Sequence, residues 1–250
     1  MLRCPRRGVR PGRPHHQPNG SGRRQLKHRC TSGRTALANR LRDGVLMATI
    51  HEEHHTIDTV VCDVGGVIIS FDEAVASAIE ARHGLSIGTL LPAVLKSEPG
   101  MLAMRGALDR DTWMSAVSPL VGRAAVLDWL GYHGDLNEQV VAHLKSVKNR
   151  GVKVVLLSNA TFRLWDDLEF HGLDSLADLV LCSADIGHVK PDPSCYQHAA
   201  ILGDFTLDRA FYVDDTPSWV DAGAALGMLG HVFTTAERLE QDLATQELLP

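Results

Sequence analysis

From Thr56 onward, apolar and polar positions follow two alternating periods, and each period predicts an element. Thr56–Asp63 is a run of β-formers closed by an aspartate and reads as a strand. A glycine-containing turn follows, then a second β-rich stretch, Val67–Phe71. From about Asp72 to His133 the apolar spacing becomes helical, in Ala74–His83, Leu90–Lys96, Trp113–Leu120 and Ala124–Leu130. Leu136–Arg150 is an amphipathic helix ended by Gly151 as a C-cap. Val152–Leu157 is a continuous apolar run, the pattern of a buried strand. Helices and strands then alternate through Phe162–Phe170, Leu179–Cys182, Pro193–Leu202, Ala210–Val213, Pro217–Leu226, His231–Phe233 and Ala236–Thr245. That rhythm predicts an α/β fold, a doubly wound and mainly parallel sheet with helices on both faces.

One connection is too long for a single helix. The crossover from Asp63 to Ser158 takes about 95 residues, whereas a parallel crossover needs about a dozen. The surplus helices predict a separate cap over the sheet edge. The expected division is a core of residues 47–72 and 134–250 and a helical cap of residues 73–133. Residues 1–46 precede them as a basic, disordered extension.

Charge separates that extension from the rest. Residues 1–46 hold 12 of the 25 Lys and Arg but a single acid, Asp43, while the remainder has 13 basic against 29 acidic side chains. An Arg-, Pro- and Gly-rich stretch without apolar periodicity argues for disorder. An organelle-targeting peptide and a nucleic-acid arm are both readings of it. Translation starting at Met47 is preferred, because the folded pattern opens soon after it. An acidic body makes nucleic acid an unexpected partner. With 44% hydrophobic residues, 22% charged ones and no run of 18 apolar residues, a globular protein without a membrane span is expected. The five cysteines form no C-x-x-C pair, and Cys62 and Cys182 fall in expected core strands. Buried free thiols and a cytoplasmic location follow as expectations.

Polar groups close several of the apolar runs. Asp63 ends Val60-Val61-Cys62-Asp63, Ser158-Asn159 end Val155-Leu156-Leu157, and Asp214-Asp215 end Phe211-Tyr212-Val213. Lys190 lies in the loop Val189-Lys190-Pro191-Asp192-Pro193. Parallel strands gather such ends at one carboxyl edge, where ligands bind. An aspartate there can attack phosphorus. The pair Asp214-Asp215, with Asp63, can hold Mg²⁺, which favours a few carboxylates plus phosphate oxygens. Lys190 adds a point charge, and Ser158 and Asn159 add hydrogen bonds to a phosphate. Each element alone is more often structural; an aspartate pair before a helix commonly just caps it. Four in order point to a phosphate-handling site.

Over residues 57–247 the chain resembles the haloacid dehalogenase-like hydrolase superfamily, in the branch with a helical cap inserted after the first strand. The likeness rests on Asp63-x-Gly-Gly-Val, Leu157-Ser158-Asn159, Lys190-Pro191-Asp192-Pro193 and Val213-Asp214-Asp215-Thr216-Pro217. It implies a Rossmann-like core with Asp63 as nucleophile and metal ligand. Ser158 and Asn159 hold the phosphate, Lys190 balances charge, and Asp215 ligates Mg²⁺ directly with Asp214 beside it. The residue at 65 gives its backbone carbonyl to the metal. Two positions depart from the family. Gly65 stands where family phosphatases carry an acid/base aspartate, a loss typically worth about 10²–10⁴ in rate; Asp72 is a weak substitute. Trp219 stands where relatives often have Asn or Asp near the metal.

The expected function is Mg²⁺-dependent hydrolysis of a small phosphorylated metabolite through an aspartyl-phosphate. A phosphate- or partner-binding relic is second and a 2-haloacid dehalogenase third. His51-Glu52-Glu53-His54-His55 matches a zinc signature but has no room for the helix that signature requires. Asn159-Ala160-Thr161 and Asn19-Gly20-Ser21 match glycosylation sequons without an accompanying secretion signal. In the cap, Trp113, Trp129, Arg105, Lys96 and Tyr132 could touch substrate, but Trp113 and Trp129, at helical spacing, read as core, and Lys96 and Arg105 as surface charges.

Overall fold

A computed structural model describes residues 56–250. The extension at 1–46, the His51–His55 run and the Asn19 sequon lie outside the described residues. In chain order the elements begin with β1 (Thr59–Cys62), β2 (Ile69–Ser70), α1 (Glu73–Arg82), a π-helical turn (Pro92–Lys96), α2 (Glu98–Met104), α3 (Arg110–Val121) and α4 (Arg123–Leu130). They continue through β3 (Asp135–Leu136), α5 (Glu138–Asn149), β4 (Lys153–Ser158), α6 (Arg163–Phe170), β5 (Leu179–Cys182), α7 (Ser183–Ile186) and α8 (Pro193–Gly203). A 3₁₀ turn (Leu207–Arg209), β6 (Ala210–Asp214), α9 (Pro217–Ala224), β7 (Leu229–Val232) and α10 (Ala236–Thr245) complete the fold.

The main sheet has the order β5-β4-β1-β6-β7, and all its pairings are parallel. The chain runs outward from β1 through β4 to β5, then returns to the other side of β1 as β6. The topological switch, where a doubly wound sheet opens a crevice, therefore lies between β1 and β6. Both faces are covered, as expected. Val60 and Cys62 of β1 join a cluster with Leu144, Leu168 and Leu239, while Val61 joins Tyr196, Tyr212 and Met228 on the other face. Strand alternation thus turns Cys62 into packing, and burial pushes its thiol well above the usual range. No described helix is long and apolar enough to cross a membrane.

A third cluster is built from Ile79, Leu90, Val94, Trp113, Val117, Val126, Trp129 and their neighbours, all between residues 79 and 129, with Phe162 packed against it. Pro99-Gly100 lies in the first turn of α2, where proline costs no hydrogen bond. Gly100 is needed there, because a Cβ would press on the main chain of Val94 and Leu95. Leu136 was expected to open a helix. It instead pairs with Ile69 in a two-stranded flap, and the helix starts after Asn137, whose side chain accepts from Val140 N–H.

Glu80 is a buried acid in this helical layer. Its carboxylate accepts from Gly88 N (2.8 Å) and Leu90 N (2.7 Å), tying the loop after α1 back onto the helix. The Leu90 N–H, against an opposing effect of burial, holds the carboxyl below its ordinary value. Glu80→Gln puts an amide where two acceptors are needed. At neutral pH it is expected to cost about 2–3 kcal/mol, or roughly 4–12 °C in melting temperature for a domain of this size. Because the folded pKa is depressed, the wild-type advantage is present above the unfolded value of 4.5 and disappears as pH falls through the lower folded value. Thermal melts of both proteins across acidic pH check the magnitude and the sign.

Candidate active site

The ends of β1, β4 and β6 bring the sequence-predicted groups to one place. Asp63 follows β1 directly, is nearly buried, and accepts from its neighbour Val64 N at 2.7 Å. Lys190 is fully engaged: its Nζ lies 3.0 Å from Asp63 Oδ1, 2.6 Å from Asp214 Oδ2 and 3.0 Å from the Leu157 carbonyl. Burial alone would lower the lysine pKa, but Asp63 and Asp214 outweigh it and raise it, so the ammonium stays charged. Burial acts on Asp63 in the opposite sense. With Lys190 opposing and Asp214 adding repulsion, its carboxyl is pushed up to about 6.

Asp214 and Asp215 divide the work. Asp214 is buried and takes bonds from Lys190, from Tyr212 Oη at 2.5 Å and from Thr216 N at 2.9 Å, so protein donors occupy both oxygens. Asp215 is exposed and accepts from Thr216 Oγ1 at 3.1 Å. Asp63, Asp214 and Asp215 each offer a carboxylate oxygen within 4.8 Å of the others. Gly66 makes room for this cluster: its φ is +81°, and a Cβ there would overlap the Asp215 carboxylate. Three converging carboxylates with a backbone cradle suit a hard divalent cation such as Mg²⁺. The arrangement favours Asp63 and Asp215 as its carriers, with Asp214 holding the lysine.

Ser158 is buried at the end of β4 and lines a cavity of about 230 Å³ together with Gly65 and Asn159. Asn159, expected to reach a phosphate, spends its side chain elsewhere. Its Oδ1 accepts from Lys190 N and its Nδ2 donates to Lys190 O, both at 2.8 Å. This two-point clamp fixes the main chain that carries the ammonium. Asp72 is an exposed helix cap accepting from Ala74 N, which disfavours it as an acid/base. Trp219 lays its ring 4.7 Å from Lys190 Nζ, so it walls the cation rather than adding an oxygen donor.

Sequence reading missed two sets of contributors. Tyr212 was read only as a strand residue, yet it shares a face with Asp214 at a spacing of two, and that period was the available signal. Arg163, Asp167 and Trp129 also line the cavity. Trp129 was weighed as a substrate contact but read as core, and nothing in the helical spacing marks Arg163.

A sequence model of the haloacid dehalogenase-like hydrolases matches residues 57–227. The chain is 28% identical over 193 residues to a Mycobacterium tuberculosis protein named a phosphatase, a match covering 71% of this chain and 87% of that one. It is 24% identical over 180 residues to the GMP/IMP nucleotidase YrfG of Escherichia coli, covering 69% and 80%. Among solved structures, a HAD family enzyme of Bacteroides thetaiotaomicron, crystallised with magnesium and inorganic phosphate, superposes with a TM-score of 0.61 at 16% identity. That match covers 71% of this chain and 94% of that one, and it shows the fold.

Proposed function

The chain belongs to the haloacid dehalogenase-like hydrolases, and from that premise we propose that it is a Mg²⁺-dependent phosphatase of a small phosphorylated metabolite, working through an aspartyl-phosphate on Asp63. The observation that carries the proposal is the contact of Asp63 with Lys190 inside a cluster of three carboxylates. The phosphatase and nucleotidase names of its relatives support the same reaction class.

Asp63 Oδ1 is held by Val64 N and Lys190 Nζ, leaving Oδ2 to attack phosphorus. Lys190 keeps the nucleophile ionised at neutral pH and lessens its repulsion from an incoming phosphate. The Ser158 hydroxyl donates to a phosphoryl oxygen, and the Asn159 clamp keeps Lys190 in register. Mg²⁺ held by Asp63, Asp215 and the Gly65 carbonyl, with Asp214 behind them, would neutralise charge on the phosphoryl oxygens. The helices of residues 73–133 serve as a cap that closes the cavity over the sheet edge. The described cysteines, Cys62, Cys182 and Cys195, are free and buried, which suits a reducing compartment such as the cytoplasm.

Chelation tests the reading. Release of nitrophenol from 4-nitrophenyl phosphate is expected to fall to background in excess chelator and to return on adding Mg²⁺. Full turnover without divalent metal counts against it, and halide release from a 2-haloacid in chelator would favour the dehalogenase reading instead. Gly65 favours one second reading, a phosphate-binding relic: stabilisation by phosphate and Mg²⁺ with no turnover across a phosphoester panel would support it.

A further inference from the structure

The cavity holds a cation that the chemistry above leaves unused. Arg163, in the first turn of α6, is 5% exposed and lines the cavity along with Ser158, Asn159 and Gly65. Its Nε sits 3.2 Å from the Asp167 carboxylate, which in turn meets His133 Nδ1 at 2.8 Å. Its Cζ lies 4.2 Å from the Trp129 ring centroid and 5.3 Å from that of Phe71. Nη1 and Nη2 are both buried, and neither meets an acceptor among the described residues.

Buried N–H groups without acceptors are costly, and more so on a charged group. Aromatic rings recover part of that cost by facing the guanidinium, but they accept no in-plane hydrogen bond. Asp167 neutralises the Nε side only. What remains is a pair of NH₂ groups, whose parallel N–H bonds have the fork geometry that matches a carboxylate or phosphoryl group.

We propose that Arg163 is a substrate-binding residue whose Nη1 and Nη2 grip a second oxyanion, on the leaving-group side of the phosphate ester. The proposal rests on the phosphatase reading and narrows its substrate class to small esters carrying a carboxylate or a further phosphoryl group. Ser158, Gly65 and Arg163 line the same cavity, so one small molecule can engage both the phosphate-binding groups and the guanidinium. The Nη atoms are sealed from solvent in this conformation. A ligand therefore reaches them when Trp129 of α4 or Phe71 beyond the flap strand β2 gives way, and it restores their hydrogen bonds when they close. Anion binding and closure of the helical layer are thereby coupled.

Three glycerol compounds test this with one scaffold. In the wild type with Mg²⁺, kcat/KM for 3-phosphoglycerate or for glycerol 1,3-bisphosphate is expected to exceed that for glycerol 3-phosphate by about 10- to 100-fold. The compound that prevails identifies the carboxylate or the second phosphoryl as the group held. Arg163→Lys and Arg163→Gln should bring that ratio to within about threefold of unity, because a point charge or an amide cannot replace the fork. A wild-type ratio already within threefold for both compounds overturns the proposal, whether or not the variants fold. So does a ratio that survives in folded variants. Thermal stabilisation by the same compounds reads binding without turnover. If no ester is hydrolysed but the charged compound stabilises the wild type more than glycerol 3-phosphate and loses that advantage in Arg163→Lys, the phosphatase reading fails and the Arg163 assignment stands. Equal stabilisation by all three overturns it.

Discussion

Asp63→Asn is expected to reduce phosphate release by about 10⁴-fold or more, because it removes the attacking oxygen rather than a supporting contact. The fold should survive the change, and the electrostatics say in which direction stability moves. Asp63 titrates near 3.8 when unfolded and is pushed up to about 6 in the fold, by burial first and by Asp214, against the pull of Lys190. Between those two values the folded protein binds more protons than the unfolded chain. The contribution of this carboxyl to stability therefore falls as pH rises from about 4 to about 6, and it stays unfavourable above. Asparagine removes that burden while Lys190 keeps Asp214 as its partner at 2.6 Å. In chelator at neutral pH the variant is expected to melt no lower than the wild type. Added Mg²⁺ should stabilise the variant less, since one carboxylate of the cluster is gone. A variant that melts well below the wild type in chelator would mean Asp63 is a structural partner of Lys190, and the nucleophile assignment would lose its support.

Gly65→Asp is expected to increase activity, and selectively. Family resemblance puts an acid/base aspartate at this position. The backbone here accepts a side chain: φ lies outside the left-handed region, and a Cβ would meet nothing within 4 Å. Gly65 also lines the cavity with Ser158. A carboxyl there would protonate an alkoxide, so kcat on an alkyl ester such as glycerol 3-phosphate should rise by about 100-fold. Nitrophenolate leaves without a proton, so 4-nitrophenyl phosphate should gain far less. Equal gains on both esters, or a loss on the alkyl ester, would show that leaving-group protonation does not limit this enzyme. The adjacent Gly66 tolerates nothing similar, because its space is taken by Asp215.

Periodicity and strand ends were enough to read the sheet, the long crossover and the meeting of Asp63, Lys190 and Asp215. Leu179–Cys182 and Ala236–Thr245 were bounded correctly because local signals suffice there: a β-former run in one, and a Thr235 cap accepting from Arg238 N in the other. Misreadings arose where a partner remote in sequence decides. Leu136 has helical neighbours but joins a strand because Ile69 lies beside it. Nothing in the helical spacing marks Glu80, onto which the Gly88 and Leu90 amides fold back.

The same division runs through the site. Which residue types could handle phosphate was written in the chain, since a nucleophilic carboxylate, a lysine and a carboxylate pair have fixed chemistry wherever they sit. How they share the work was decided in three dimensions. Asn159 clamps the Lys190 main chain, Asp214 is saturated by Lys190, Tyr212 and Thr216, and Asp215 alone of the pair faces outward. Arg163 is the sharpest case: an arginine that no pattern marks becomes a buried fork without acceptors among the described residues once Trp129, Phe71 and Asp167 close around it. Hydrophobic period reports only whether a position faces a core. Desolvation and hydrogen-bond partners depend on which distant segments pack there, and those arise only when the chain folds.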